Sequence, residues 1–361
     1  MKIGILTLPI NTNIGGILQA YALQVVLSMK GHQVEVLNRY KDTDRPQKDI
    51  CGFFHALAKH IYRSIIKRIL YGKNSGYYWF IKRYLNLSVP IYSPKELKEY
   101  VLSKHYETIV VGSDQVWRQW YKIPGFTSSY FLDVLYNQEK INKIAYAASF
   151  GFDKCNIDFE LDSCKRGISS FKAVSVREAS GVGICSNVFQ IPAQQVLDPT
   201  MLLLVDNYSS LIEENDTKQS PGELFCYILD NKPEYHRFIE KVRNWKNYTP
   251  YNYLQYWGKR ESVAQWLRAF SDAKFVITDS FHGCVFSILF NKPFIVLGNS
   301  YRGQSRFESL LSLFGLTDRM VTKDNFEELN NLLNHNINWN VVNEKLAVER
   351  QKSLEFLYKN I

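Results

Sequence analysis

The sequence predicts an α/β fold of two doubly wound domains facing one another across a cleft. Short apolar, β-branched runs alternate with helical patterns, and each run ends in small and polar residues. These units fall into two successive series, and a chain of 361 residues is long for one core but fits two. The clearest junction is the run from Lys274 to Ile277, which passes through Thr278-Asp279-Ser280-Phe281-His282-Gly283 into an apolar helix from Cys284 to Phe290. Such junctions, at the carboxyl edge of a sheet, are where α/β proteins hold their ligands.

In chain order, Lys2 to Leu8 reads as a strand, followed by a loop with Asn11, Asn13, Gly15 and Gly16, a helix from Ile17 to Met29 and a strand from Gln33 to Leu37. Thr108 to Val111 is a strand ending in Gly112-Ser113-Asp114-Gln115, and Ile144 to Ala148 is another, ending in Ser149-Phe150-Gly151. The second series starts near residue 165. Ala173 to Val176 leads into Arg177-Glu178, Gln195 to Leu197 into Asp198-Pro199-Thr200, and Leu224 to Leu229 into Asp230-Asn231-Lys232-Pro233. A helix around Ser262 to Phe270 precedes the His282 junction, and Phe294 to Leu297 ends in Gly298-Asn299. The polar stretch Asn207 to Gly222 reads as a surface connection inside the second domain. These units predict domains at 1–165 and 166–325, with helices at 326–361 packing back on one of them.

With 46% hydrophobic residues the chain is globular rather than disordered. It carries no signal-peptide pattern and no apolar run of bilayer length, so a cytoplasmic protein is expected. Six cysteines are scattered without metal-ligand spacing, which predicts free thiols, no structural zinc and no metal. The net charge of +9 is unevenly placed: from Cys51 to Lys95 there are eight Lys and Arg residues and no acid. Phe54, Leu57, Ile61, Ile65 and Ile69 recur at helical spacing, with Lys59, Arg63 and Lys67 on another face, and Tyr77, Tyr78, Trp79, Phe80 and Tyr84 follow. This basic, aromatic insertion, residues 51–95, fits an anionic membrane surface and fits an ordinary solvated helix equally well. No nucleic-acid motif accompanies the charge, so no nucleic-acid partner is expected.

The His282 junction has readable local physics. Asp279 and Ser280 are helix-capping types, Gly283 permits a tight turn or close approach, and a helix N-terminus favours anions. The other six histidines lack such surroundings. A hydrogen-bonded core histidine also fits the position.

Taken together, Asn13-Ile14-Gly15-Gly16-Ile17-Leu18-Gln19-Ala20-Tyr21-Ala22-Leu23-Gln24, Val111-Gly112-Ser113-Asp114-Gln115-Val116-Trp117, Val174-Ser175-Val176-Arg177-Glu178, Val196-Leu197-Asp198-Pro199-Thr200 and Thr278-Asp279-Ser280-Phe281-His282-Gly283 resemble the polysaccharide pyruvyl transferases, in family order over about residues 1 to 320. The resemblance implies two Rossmann-like domains in the GT-B glycosyltransferase architecture. It also implies transfer of pyruvate from phosphoenolpyruvate onto two hydroxyls of a sugar, as a cyclic ketal, in the making of a capsule-type surface polysaccharide. Phosphoenolpyruvate is then the donor substrate, and no cofactor is required.

That chemistry needs cations for the phosphate and carboxylate and an acid for the methylene carbon. His282 is the candidate acid, since imidazole exchanges protons near neutral pH and a bound anion favours its charged form. Arg177 is the candidate bidentate donor contact, with a structural salt bridge as the alternative. Some family members carry arginine where this chain has Ser280, so another cation is required, and Arg302 and Arg306 follow the next strand; Ser280 itself offers a hydroxyl or a helix cap. The resemblance places the acceptor on the amino-terminal domain. There Asp114 is a candidate base or a turn cap, Trp117 a sugar-stacking or a core side chain, and Asn13, Gly15, Gly16, Ser113 and Gln115 line the loops. The expected acceptor is a sugar carried on a polyprenyl diphosphate lipid at the inner membrane face. A nucleotide-sugar glycosyltransferase or a non-catalytic glycan-binding protein of the same architecture remains open on the residues alone.

Overall fold

The computed structural model describes residues 1–10, 13–45, 76–230, 232–252, 262–298, 303–321 and 329–361. Strands β1 (Lys2–Leu6), β2 (Gln33–Leu37), β3 (Thr108–Val111), β4 (Asn142–Ala148), β5 (Ala173–Val176) and β6 (Gln194–Gln195) form a parallel sheet in the order β2-β1-β3-β4-β5-β6. Strands β7 (Leu224–Tyr227), β8 (Pro250–Asn252), β9 (Phe275–Thr278), β10 (Phe294–Leu297) and β11 (Met320–Val321) form a second parallel sheet in the order β11-β10-β9-β7-β8. The inner strands β3, β7, β9 and β10 are mostly apolar and buried at every position, as expected where helices cover both sides of a sheet.

The strand order reverses between β1 and β3 in the first sheet and between β7 and β9 in the second. At these switch points neighbouring crossovers leave to opposite faces, which opens a crevice at the carboxyl ends of the strands. The turn after β3 carries Ser113-Asp114, and the junction from β9 into the first turn of the following helix carries Asp279-His282, so the motifs read from the sequence occupy both crevices.

One expectation is corrected. β5 pairs with β4 through Ala145↔Val174, and β6 pairs with β5, so the strands assigned to a second series belong to the first sheet. The division lies between Gln195 and Leu224 rather than at residue 165. Alternation of strand and helix marks units but not the number that share a sheet, which depends on edge-to-edge pairing. The stretch expected to be a surface connection inside the second domain instead holds the helix Val205–Glu214, which buries Tyr208, Leu211 and Ile212 on the way between the sheets.

The predicted amphipathic face at Phe54 to Ile69, with Lys59, Arg63 and Lys67, lies outside the described residues. The end of that basic segment is the helix Gly76–Tyr84, whose Phe80 packs edge-on against Tyr21 of the helix Ile14–Ser28. Its Tyr84 hydroxyl donates to Glu214 in the helix that leads to the second sheet. Among the described residues no helix is long and apolar enough to cross a membrane.

The last helix, Trp339–Asn360, returns to the first sheet. Arg350 donates to the carbonyls of Met201 and Leu203, Ser353 accepts from the Leu197 amide, and the Asn142 side chain donates to the carbonyl of Asn360. Leu357 is fully buried on this helix. Leu357→Ala is expected to cost about 2–5 kcal/mol through the cavity it leaves, read as a lowered midpoint in denaturant unfolding.

Candidate active site

Asp198 stands at the centre of a buried polar cluster. It follows β6 and caps the turn Pro199–Met201, its Oδ1 accepting from the Thr200 amide at 3.0 Å and hydroxyl at 2.7 Å. Proline in the first turn lacks the amide that a cap would otherwise have to serve, which explains the local sequence. The other oxygen, Oδ2, accepts from Ser113 Oγ at 2.9 Å and Arg177 Nη1 at 2.8 Å, and lies 3.6 Å from His282 Nε2. Burial alone would raise this carboxyl, but the charges of His282 and Arg177 and the Thr200 hydrogen bond hold it well below the usual carboxylate range.

Arg177 is presented by the end of β5, its amide bonded to Ala148 O at 3.1 Å. Its Nη2 lies 3.8 Å from Asp114 Oδ1, and its guanidinium sits 4.3 Å over the Phe281 ring. Arg177 Nε and Nη2 and His282 Nε2 are buried without hydrogen bonds among the described residues.

The second sheet delivers His282 through a fixed junction. Thr278 Oγ1 donates to Tyr227 O at 2.7 Å and accepts from the Ser280 amide, while Ser280 Oγ caps the helix Phe281–Leu289 by accepting from Gly283 N. Asp279 accepts from the amides of Leu229 at 2.6 Å and Asp230 at 2.9 Å, tying β9 to the loop after β7 across the switch crevice. A Cβ on Gly283 would overlap the Thr278 side chain, and a Cβ on Gly15 would overlap the His282 ring. Gly15, at the start of the first helix, is therefore the clearance that lets an imidazole of the second sheet seat against the first.

Arg306 completes the cluster from the helix Gln304–Phe314. Burial and the neighbouring Arg177 push its guanidinium down to about 9, with Glu178 and Asp114 opposing, so it stays charged at neutral pH. Its guanidinium lies 5.7 Å from the Phe281 ring, which thus contacts two cations. Glu178, fully buried, accepts from Ser149 Oγ and the amides of Phe150 and Gly151 through one oxygen, fixing the loop after β4.

The residues picked from the sequence therefore divide. Ser113, Asp114, Arg177, His282, Arg306 and Gly15 are brought together, with Arg177 coming from the first sheet rather than the second. Ser280 is the helix cap. Asn13 also acts as a cap, accepting from the Gly16 amide at 3.3 Å. Gln115 gives its side-chain carbonyl to Arg118, and Asp114 sits at φ +74° with its own carboxylate accepting from the Gln115 amide. Trp117 is corrected: it is 0% exposed, stacks on Phe131 and donates to Tyr130 O, so it is a core side chain that no sugar reaches. Arg302 lies outside the described residues. Asp198, Glu178 and Phe281 stood within quoted motifs but were not singled out. The Asp-Pro-Thr triplet signals a cap, and a second acceptor oxygen left over from that cap is the sign that was available for Asp198.

Gly15→Ala is expected to displace His282 and weaken the contact between the sheets. Turnover should fall at least tenfold, on the scale of a misplaced reacting group, with a lower melting temperature in calorimetry; an unchanged enzyme would show that the ring has room to move.

The comparisons with known proteins fit this geometry. Over 173 residues the chain is 23% identical to general stress protein 30 of Bacillus subtilis, a match covering 44% of this chain and 48% of that one. The match thus spans about half the length of that curated relative. Among solved structures, UDP-GlcNAc 2-epimerase from Neisseria meningitidis superposes with a TM-score of 0.56 at 10% identity, over 100% of both chains. The Rickettsia bellii UDP-N-acetylglucosamine 2-epimerase gives 0.52 at 8%, covering 99% of this chain and 96% of that one. These likenesses establish the fold, two Rossmann-like domains of the GT-B kind. Residues 13–301 match the family model of the polysaccharide pyruvyl transferases, and the chain belongs to that family.

Proposed function

We propose that the chain transfers pyruvate from phosphoenolpyruvate to two hydroxyls of one sugar in a surface-polysaccharide precursor, closing a cyclic ketal and releasing phosphate. The observation that carries this reading is the set of buried donors without hydrogen bonds, Arg177 Nε and Nη2 and His282 Nε2, at the meeting of the two switch crevices. Buried donors are normally satisfied, and a small, densely anionic substrate supplies the acceptors that these lack.

In this reading Arg177 and Arg306 hold the phosphate and carboxylate, with Arg302 and the Ser280 hydroxyl assigned to the same subsite. His282, 3.6 Å from the Asp198 carboxylate, gives a proton to the methylene carbon. The π electrons form the new C–H bond, and the central carbon becomes an oxocarbenium centre. One sugar hydroxyl adds there and passes its proton to Asp114. The carbon–oxygen bond to phosphate then breaks, the second hydroxyl adds, and the ring closes. Of the two hydroxyl protons, one replaces that given by His282 and the other leaves with phosphate, so the exchange balances without an external acid. Asn13, Gly16, Ser113 and Gln115 border the acceptor side.

The acceptor sugar is assigned to a polyprenyl diphosphate carrier, with the insertion at 51–95 resting on the anionic inner membrane face. Support comes from the helix Gly76–Tyr84, where Tyr78 and Trp79 are 60% and 45% exposed and Lys82 lies 5.7 Å from the Tyr78 ring.

With phosphoenolpyruvate and a lipid-linked glycan extract, the wild-type chain should release inorganic phosphate and leave a pyruvate ketal on the product, and His282→Ala should lower this rate about 10²- to 10⁴-fold. Nucleotide release from a nucleotide sugar instead would overturn the reading. Charge reversal at Lys59, Arg63 and Lys67 should move the protein from the membrane fraction to the soluble one; unchanged fractionation counts against the membrane contact.

A further inference from the structure

With Trp117 buried, the carboxyl edge of the first sheet still presents large aromatic rings, three and four residues further along. Trp120 and Tyr121 are 44% and 45% exposed. Neither is a loose surface side chain. Trp120 Nε1 donates to Gln115 O at 3.3 Å, and the Arg118 guanidinium lies 3.9 Å from the Trp120 ring and 4.1 Å from the Phe152 ring. Arg118 is itself held by Gln115 Oε1 at 2.8 Å. Tyr121 is backed by Lys41 Nζ at 3.6 Å from its ring and stands edge-on to Phe126. A cation packed on an aromatic ring, with a hydrogen bond fixing the indole, leaves a rigid ring partly in water, which is costly for a side chain with no partner.

The platform adjoins the site. Gln115, which holds Trp120 and Arg118, follows Asp114 directly, and Arg118 is near enough to push on the charge of Arg306. Around the rings stand hydrogen-bonding groups rather than further apolar surface. Gln119 donates to Asp158 at 2.5 Å, Lys122 pairs with Asp158 at 2.6 Å, and the Asn156 side chain accepts from the Gln119 amide. A carboxylate and amides beside flat rings suit the hydroxyls and C–H faces of a pyranose.

We infer that Trp120 and Tyr121, backed by Arg118 and Lys41, are the stacking platform for the pyranose rings of the acceptor glycan. The platform selects the glycan by the sugar units it stacks, while the Asp198 cluster acts on the unit that receives the pyruvyl group. The identity of the substrate rests on the pyruvyl-transfer reading; binding to the rings does not.

The experiment has two arms. In phosphate-release kinetics Trp120→Ala should raise the acceptor KM roughly tenfold while the KM for phosphoenolpyruvate stays within about twofold, and Trp120→Phe should recover most of the loss. An unchanged acceptor KM overturns the platform, whereas a wild-type chain that consumes no phosphoenolpyruvate overturns the transfer reading instead. The second arm needs no turnover: calorimetric titration with chitotriose, cellotriose and mannotriose should show saturable binding to the wild type, weakened about tenfold in Trp120→Ala with an unchanged melting temperature. Absence of binding to all three, or an effect of Trp120→Ala on sedimentation with phosphatidylglycerol vesicles in place of glycan binding, overturns the inference.

Discussion

The carboxylate of Asp198 is the point on which the remaining site geometry depends. One oxygen is consumed by its own turn through Thr200, which fixes the direction of the other. That second oxygen meets Ser113 from the end of β3, Arg177 from the end of β5 and His282 from the second sheet. Burying a carboxylate costs several kcal/mol unless charges and hydrogen bonds surround it, and here two nitrogen bases and two hydroxyls do so. Each partner is thereby held by an interaction that would be expensive to leave unmade, so orientation at the cluster follows from burial and not from surface contacts, which are weak.

Around that carboxylate the two sheets contribute unlike things. The first supplies Asp114, Arg177 and the clearance at Gly15, while the second supplies His282, Phe281 and Arg306. Phe281 touches two guanidinium groups of the same sign, an arrangement tolerated because the ring face attracts both and because Asp114, Glu178 and Asp198 balance them nearby. The cluster is complete only where the two sheets meet, since Asp198 and Arg177 come from the first and His282 and Arg306 from the second.

Much of this was legible in the sequence, for reasons that differ by element. Strands such as Thr108–Val111 and Phe294–Leu297 are buried at every position and almost wholly apolar, because both faces are covered, and their ends are marked by small and polar residues. His282 was legible because capping chemistry and a glycine surround it. The domain division was not, since the pairing of Ala145 with Val174 is an edge contact with no local signature. Trp117 and Trp120 are three residues apart, yet one indole is in the core and the other at the rim, and no local pattern in the sequence separates them. Asp198 was hidden by its success as a cap: a residue with one evident duty gives no sign of a second.

The returning helix Trp339–Asn360 gives the molecule a mechanical character. The polypeptide leaves the first sheet after β6 to build the second, and comes back to lie against Leu197, Met201 and Leu203 before ending at Asn142. The second domain is therefore attached at two places along the chain, like a door on two pins. Two crossings restrict the displacements open to one half relative to the other more than a single linker would.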